Sequence, residues 1–125
     1  MIREDYCSRE LMELLKRTSF KKDVHLGQRL TKDDNKGFYK TFHHALVTKW
    51  LRVVHHVEIY ITFGFPHVNG KDAGFKYFWS IVMIKGNHLE YPMDDPQTSS
   101  YEEEMADSYP EAIEAAIKYT IENLL

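Results

Sequence analysis

The sequence predicts a single α+β domain: an antiparallel sheet of three to five strands, with two or three helices packed mainly on one face. Three observations carry that prediction. Val57, Ile59, Ile61, Phe63 and Phe65 alternate strictly with Glu58, Tyr60, Thr62 and Gly64, the period-two pattern of a half-buried strand. Directly before it, Phe42, Leu46, Val47, Trp50, Leu51 and Val54 recur at three- and four-residue spacing, which puts them on one face of a helix over 42–56. After it, Phe75 to Ile84 is apolar on both sides, with Phe75, Tyr77, Trp79, Ile81 and Met83 on one face and Phe78, Val82 and Ile84 on the other. Such a strand is central or covered twice.

The remaining elements follow in chain order. Ser8 is placed to cap a helix over 9–18, with Leu11, Met12, Leu14 and Leu15 as its apolar stripe and Phe20 folding back onto the core. Val24, Leu26 and Leu30 read as a short strand, Asp33-Asp34-Asn35-Lys36-Gly37 as a turn, and Phe38-Tyr39 as the return strand. That hairpin is expected to add to an edge of the main sheet. Thr41 is placed to cap the helix over 42–56, leaving His44, Thr48, Lys49, Arg52 and His55 toward water or a partner. Residues 66–74, with Gly70 and Gly74, read as a loop. Lys85-Gly86-Asn87 is a hairpin turn into a short strand over 88–92, which Pro92 sends to an edge. Residues 92–107, rich in Pro, Ser, Thr and acids, read as a flexible acidic loop. Within it Ser100-Tyr101-Glu102-Glu103 echoes Ser108-Tyr109-Pro110-Glu111 as a competing helix start. The last helix, over 108–124, opens on the capping box Ser108–Glu111 with Pro110 in its first turn. Its buried stripe runs through Ala112, Ile113, Ala116, Ile117, Thr120, Ile121 and Leu124.

Composition bounds the function. A chain of 125 residues with 43% hydrophobic and 28% charged residues is sized and balanced for one globular domain. Its 14% aromatic content suits a sheet with large side chains on both faces. Cys7 is the only cysteine, so no disulfide forms within the chain and nothing argues for an oxidising compartment. The charged start Met1-Ile2-Arg3-Glu4-Asp5 is not a secretory signal. No apolar run approaches the roughly 20 residues that span a bilayer. The expected location is the cytoplasm, with no membrane partner. Net charge is −3 but uneven: residues 1–56 carry 12 Lys and Arg against 7 Asp and Glu, residues 57–125 carry 4 against 12. That asymmetry fits either solvated faces of different composition or a basic face for an anionic partner, including an acidic face of a second copy.

No constellation of residues announces a chemistry. His43-His44 and His55-His56 bracket one helix roughly 17 Å apart, too far to share an ion. Adjacent residues on a helix diverge, so neither pair chelates by itself. No metal and no cofactor is expected. The acidic turn at 33–37 has calcium-loop composition without the loop's spacing. Nothing around Cys7 resembles a protease signature, and no nucleophile elbow, P-loop or dinucleotide fingerprint is present. No catalytic residue and no small-molecule substrate is assigned. Nucleic-acid binding has firmer grounds. Lys16, Arg17, Lys21, Lys22 and Arg29, followed by Lys32, Lys36 and Lys40, fall in one region with Phe20, Phe38 and Tyr39 interleaved. Cations follow phosphate and rings stack bases.

Three segments together carry a resemblance. They are Glu4-Asp5-Tyr6-Cys7-Ser8 leading into Leu14-Leu15-Lys16; Ala45 to Arg52, ending Lys49-Trp50-Leu51-Arg52; and Ser108-Tyr109-Pro110-Glu111-Ala112 through Ala115-Ala116-Ile117-Lys118 to Glu122-Asn123-Leu124-Leu125. In this order and spacing the chain resembles small uncharacterised proteins encoded in phages and prophages of gut bacteria, over nearly its whole length. The resemblance implies a cytoplasmic accessory role and brings no activity, substrate or catalytic residue. It also marks Pro110 and the acidic stretch 92–107 as this chain's own departures. Taken together, the expected function is a non-enzymatic interaction module with a protein partner or itself, a homodimer above all. Its interface is expected at Tyr60, Phe78 and Trp79. Nucleic-acid binding through the basic N-terminal half is the alternative.

Overall fold

The computed structural model describes residues 5–33, 37–92 and 104–125. It is an α+β fold in which four helices mix with antiparallel sheets. The first described helix is α1 (Arg9–Leu15), capped by Ser8, whose hydroxyl accepts the Leu11 amide at 3.1 Å. α1 stops at Leu15, short of the end of the helix expected over 9–18, and a second short helix, α2 (Phe20–Asp23), follows beyond it. Thr18 makes the break: its hydroxyl donates to the Leu15 carbonyl and accepts from the Phe20 amide, so the backbone turns there. Phe20 does fold back, fully buried, edge-on to Phe42 and Trp50.

The strands β1 (Arg29–Asp33) and β2 (Gly37–Thr41) form the expected hairpin, but as a sheet of their own. They do not extend an edge of the main sheet. Their inner face is tied to the N-terminal segment instead, since the Tyr39 and Thr41 hydroxyls both donate to the Cys7 carbonyl at 2.8 Å. Val24 and Leu26 lie outside the strand, and Leu26 is open to solvent. Residues 34–36 of the predicted turn lie outside the described residues.

Helix α3 (His44–His55) starts later than expected. His43, not Thr41, stands at its N-cap, while Thr41 is buried in β2. Val47, Trp50 and Leu51 face the core, but Val54 is exposed. The helix stops at His56, which adopts a left-handed conformation with φ 58. That one residue reverses the chain into β3 (Val57–Gly64), which explains how helix and strand join with almost no linker.

Residues 66–74 are not a plain loop. β4 (His67–Val68) and β5 (Lys71–Asp72) pair across Asn69-Gly70, both with positive φ. This is the two-residue turn that Asn-Gly favours, a signal present in the sequence. β6 (Lys76–Lys85) is the central strand of the main sheet. β3 pairs with it along one side, Val57 opposite Met83 through Gly64 opposite Lys76, with no bulge. Along the other side lie β7 (His88–Glu90), after the two-residue turn at Gly86-Asn87, and β8 (Met105–Ala106). β8 falls inside the stretch expected to be an acidic loop, so 104–107 is built into the sheet. The rest of that loop, and the Ser100-Tyr101 echo, lie outside the described residues.

α4 (Tyr109–Asn123) begins as expected, with the Ser108 hydroxyl accepting the Glu111 amide and Pro110 in the first turn. It lies across β6 and β3 with α3 and α1 beside it, so the helices do share one face of the sheet. The core between them holds Leu11, Leu15, Trp50, Leu51, Trp79, Ile81, Ile113 and Ile117. Among the described residues no helix is long and apolar enough to cross a membrane.

Candidate functional site

Histidine, serine and carboxylate side chains do converge, at the junction of α1, α3 and α4. Glu114, one turn into α4, accepts the Ser8 amide at 3.2 Å, the Ser8 hydroxyl, and His44 Nε2 at 2.8 Å. Burial acts to raise the Glu114 carboxyl, but the hydrogen bonds from His44 and from the Ser8 side chain and backbone outweigh it and hold the group below its ordinary range. The ionised carboxylate accepts, so His44 Nε2 carries the proton. The sequence placed His44 toward water; the structure buries it here. The order of contacts decides the chemistry. Ser8 and His44 each bond to the carboxylate and not to one another, whereas a serine nucleophile needs the imidazole as its immediate base. The Ser8 hydroxyl also caps α1. The cluster therefore joins three helices.

Beside it a shallow cleft of about 240 Å³ is lined by Asp5, His43, His44, Thr48, Tyr109 and Ile113. Cys7 is fully buried nearby, where burial first and the Glu114 charge second push its thiol far up. It stays protonated, which disarms it as a nucleophile. The other histidine pair is likewise structural. His55, expected toward water, packs edge-on to Trp50 at 4.7 Å. No group of three or more His, Cys, Asp or Glu among the described residues is arranged to hold a metal ion.

The basic cluster is solvent-exposed throughout: Lys16, Arg17, Lys21, Lys22 and Arg29 all face water. Its aromatic half is largely lost. Phe20 is in the core, and Tyr39 is held by its hydroxyl bond to Cys7 and by Arg9 over its ring at 4.8 Å. Phe38 remains exposed on the outer face of the hairpin. Lys16 is paired to Glu13 at 2.8 Å.

The sheet presents a different kind of surface. Alternation along β3 and β6 sends Val57, Ile59, Ile61, Tyr77, Trp79, Ile81 and Met83 under the helices. It sends Tyr60, Phe78, Val82 and Ile84 to the opposite face, joined there by Leu89 of β7 and Met105 of β8. Among the described residues no helix packs on that face. Tyr60, Ile84 and Leu89 are 39%, 46% and 52% exposed. The charges at its ends are internally neutralised: Arg52 bonds Glu58 through two nitrogens, and Lys76 bonds Asp107. Two of the three residues expected at an interface, Tyr60 and Phe78, thus lie on the open face. The third does not. Trp79 is 5% exposed, packed on Tyr119 of α4 at 5.6 Å, and belongs to the core. The parity of β6 separates it from Phe78.

Where the helical cover ends, the same core continues outward as rings. Phe63 and Phe65, expected inside, are 70% and 69% exposed and gather around Phe75 at 5.7 and 5.5 Å. Strand β3 outruns the helices laid on it. No protein-family model matches the chain, and neither a curated protein nor a solved structure matches it.

Proposed function

We propose that this protein is a non-enzymatic interaction module that works as a homodimer and offers the open face of its sheet to a protein partner. The observation behind the reading is that face, which no helix among the described residues covers: Tyr60, Val82, Ile84 and Leu89 form an apolar band whose flanking charges are already paired. Contiguous exposed apolar surface on a small domain is costly in water and marks an interaction site. A face without net charge also does not repel a copy of itself. The resemblance to small phage and prophage proteins supplies the setting, an accessory role in the cytoplasm of a bacterial host. Sedimentation at high micromolar concentration tests the reading. A dimer that persists in high salt is expected, because the surfaces involved are apolar. A monomer throughout contradicts it.

The second reading, nucleic-acid binding, rests on the exposure of Lys16, Arg17, Lys21, Lys22 and Arg29. It requires DNA or RNA binding that weakens steeply with salt and drops further in Lys21→Ala/Lys22→Ala. The absence of any salt-sensitive binding at low ionic strength retires it.

A further inference from the structure

We infer that two copies join edge to edge through β3, pairing β3 of one with β3 of the other in antiparallel fashion about a two-fold axis at Tyr60. This deepens the reading of the chain as a homodimer and rests on it. It names the edge as the dimer contact and leaves the open faces of the two copies side by side as one wider apolar platform.

The main-chain hydrogen bonds show which groups the edge offers. Ile84 N donates to His56 O at 2.9 Å, so the even-numbered residues 56–64 turn their N–H and C=O groups toward β6. On the far side of β6, Trp79 N donates to Glu104 O at 3.0 Å, as the same alternation requires. It follows that Val57, Ile59, Ile61 and Phe63 point their N–H and C=O groups away from the sheet. Among the described residues no strand pairs with that side of β3.

Edges of this length are normally blunted by lysine, proline, a bulge or an inward charge. The segment Val57–Gly64 contains no Lys and no Pro, its pairing with β6 has no bulge, and its single charge is Glu58. Arg52 already holds that charge by an exposed ion pair, which yields at little cost. The edge is built to be paired.

The occupant is a second copy because the two ends of β3 complement one another. With Tyr60 on the axis, Ile59 stands opposite Ile61, and Val57 opposite Phe63, all with outward backbone groups. This register makes about eight inter-copy hydrogen bonds, against about six when centred on Ile61. Phe63, 70% exposed in the lone subunit, then meets the end of the partner strand that follows the exposed Val53 and Val54 of α3. On the open face Glu58 meets Thr62, so no like charges face each other.

Cysteine scanning under oxidised glutathione tests the register. Tyr60 lies on the axis in a non-hydrogen-bonded pair, where the backbones come closest and a disulfide is unstrained. Tyr60→Cys is expected to form a covalent dimer at least about tenfold more than Glu58→Cys or Thr62→Cys, whose self-pairs are four residues out of step. Glu58→Cys/Thr62→Cys together is expected to cross-link as well as Tyr60→Cys. The buried Cys7 leaves the unsubstituted chain uncross-linked. Ile61→Pro removes an outward N–H without touching the β6 ladder, and is expected to yield a folded monomer. A wild-type dimer with no Tyr60→Cys cross-link overturns this register, and one that also survives Ile61→Pro overturns the edge, leaving the homodimer reading standing. A wild-type monomer overturns both.

Discussion

The Glu114 carboxylate accepts hydrogen bonds from the Ser8 amide, the Ser8 hydroxyl and His44, so the fold selects its ionised form. Because its folded pKa is lowered, its contribution is complete above the ordinary carboxyl range and is lost as pH falls through the folded value. Glu114→Gln is expected to cost about 1–3 kcal/mol at pH 7. The deficit should shrink at an acid pH well below the ordinary carboxyl range, where the wild-type carboxyl also protonates despite its lowered folded pKa. Urea midpoints at the two pH values check this, and an equal deficit at both contradicts it. His56 makes a second residue-scale test. Its left-handed backbone suits glycine, so His56→Gly is expected to stabilise by about 1 kcal/mol in the same urea assay, offset in part by the added freedom of the unfolded chain. Neither feature could be read from the sequence. Glu114 sits next to a buried stripe like any solvated helix residue, and its partners come from 70 and 106 positions away. His56 looked like the last residue of a helix.

Elements whose pattern and punctuation agreed were legible in advance. β3, β6 and α4 were each visible because side-chain period, length and cap pointed the same way. Ser108→Ala is expected to cost about 1 kcal/mol of stability, since the hydroxyl takes an otherwise orphaned amide at the start of α4. A thermal melt reads it, and an unchanged midpoint removes the cap from the account. The elements that escaped were decided by partners distant in sequence. β8 is two residues long and exists only because β6 had a free side. The hairpin β1–β2 left the main sheet because Cys7 offered its carbonyl to Tyr39 and Thr41. Trp79 and Phe78 are neighbours with opposite fates. Alternation separates their sides, but only the placement of α4 decides which side is covered.

At the scale of the whole molecule the architecture is lopsided: helices occupy one face of the sheet, and among the described residues none occupies the other. The formal charge is lopsided too, with the cations concentrated in the half that builds α1, α2, the hairpin and α3, and the acids in the half that builds the sheet and α4. The apolar face and the edge of β3, unpaired among the described residues, carry little of that charge, so association through them and any electrostatic contact of the basic half separate cleanly by salt. Joining two edges removes both from solvent in one step and doubles the open face. Amide hydrogen exchange along β3 reads this directly, because neighbouring residues serve as controls. Tyr60 and Thr62, bonded to β6, are expected to stay protected at every concentration. Ile59 and Ile61 are expected to be protected at high concentration and to lose protection on dilution. Fast exchange at Ile59 and Ile61 at all concentrations, with Tyr60 and Thr62 slow, would contradict the paired edge.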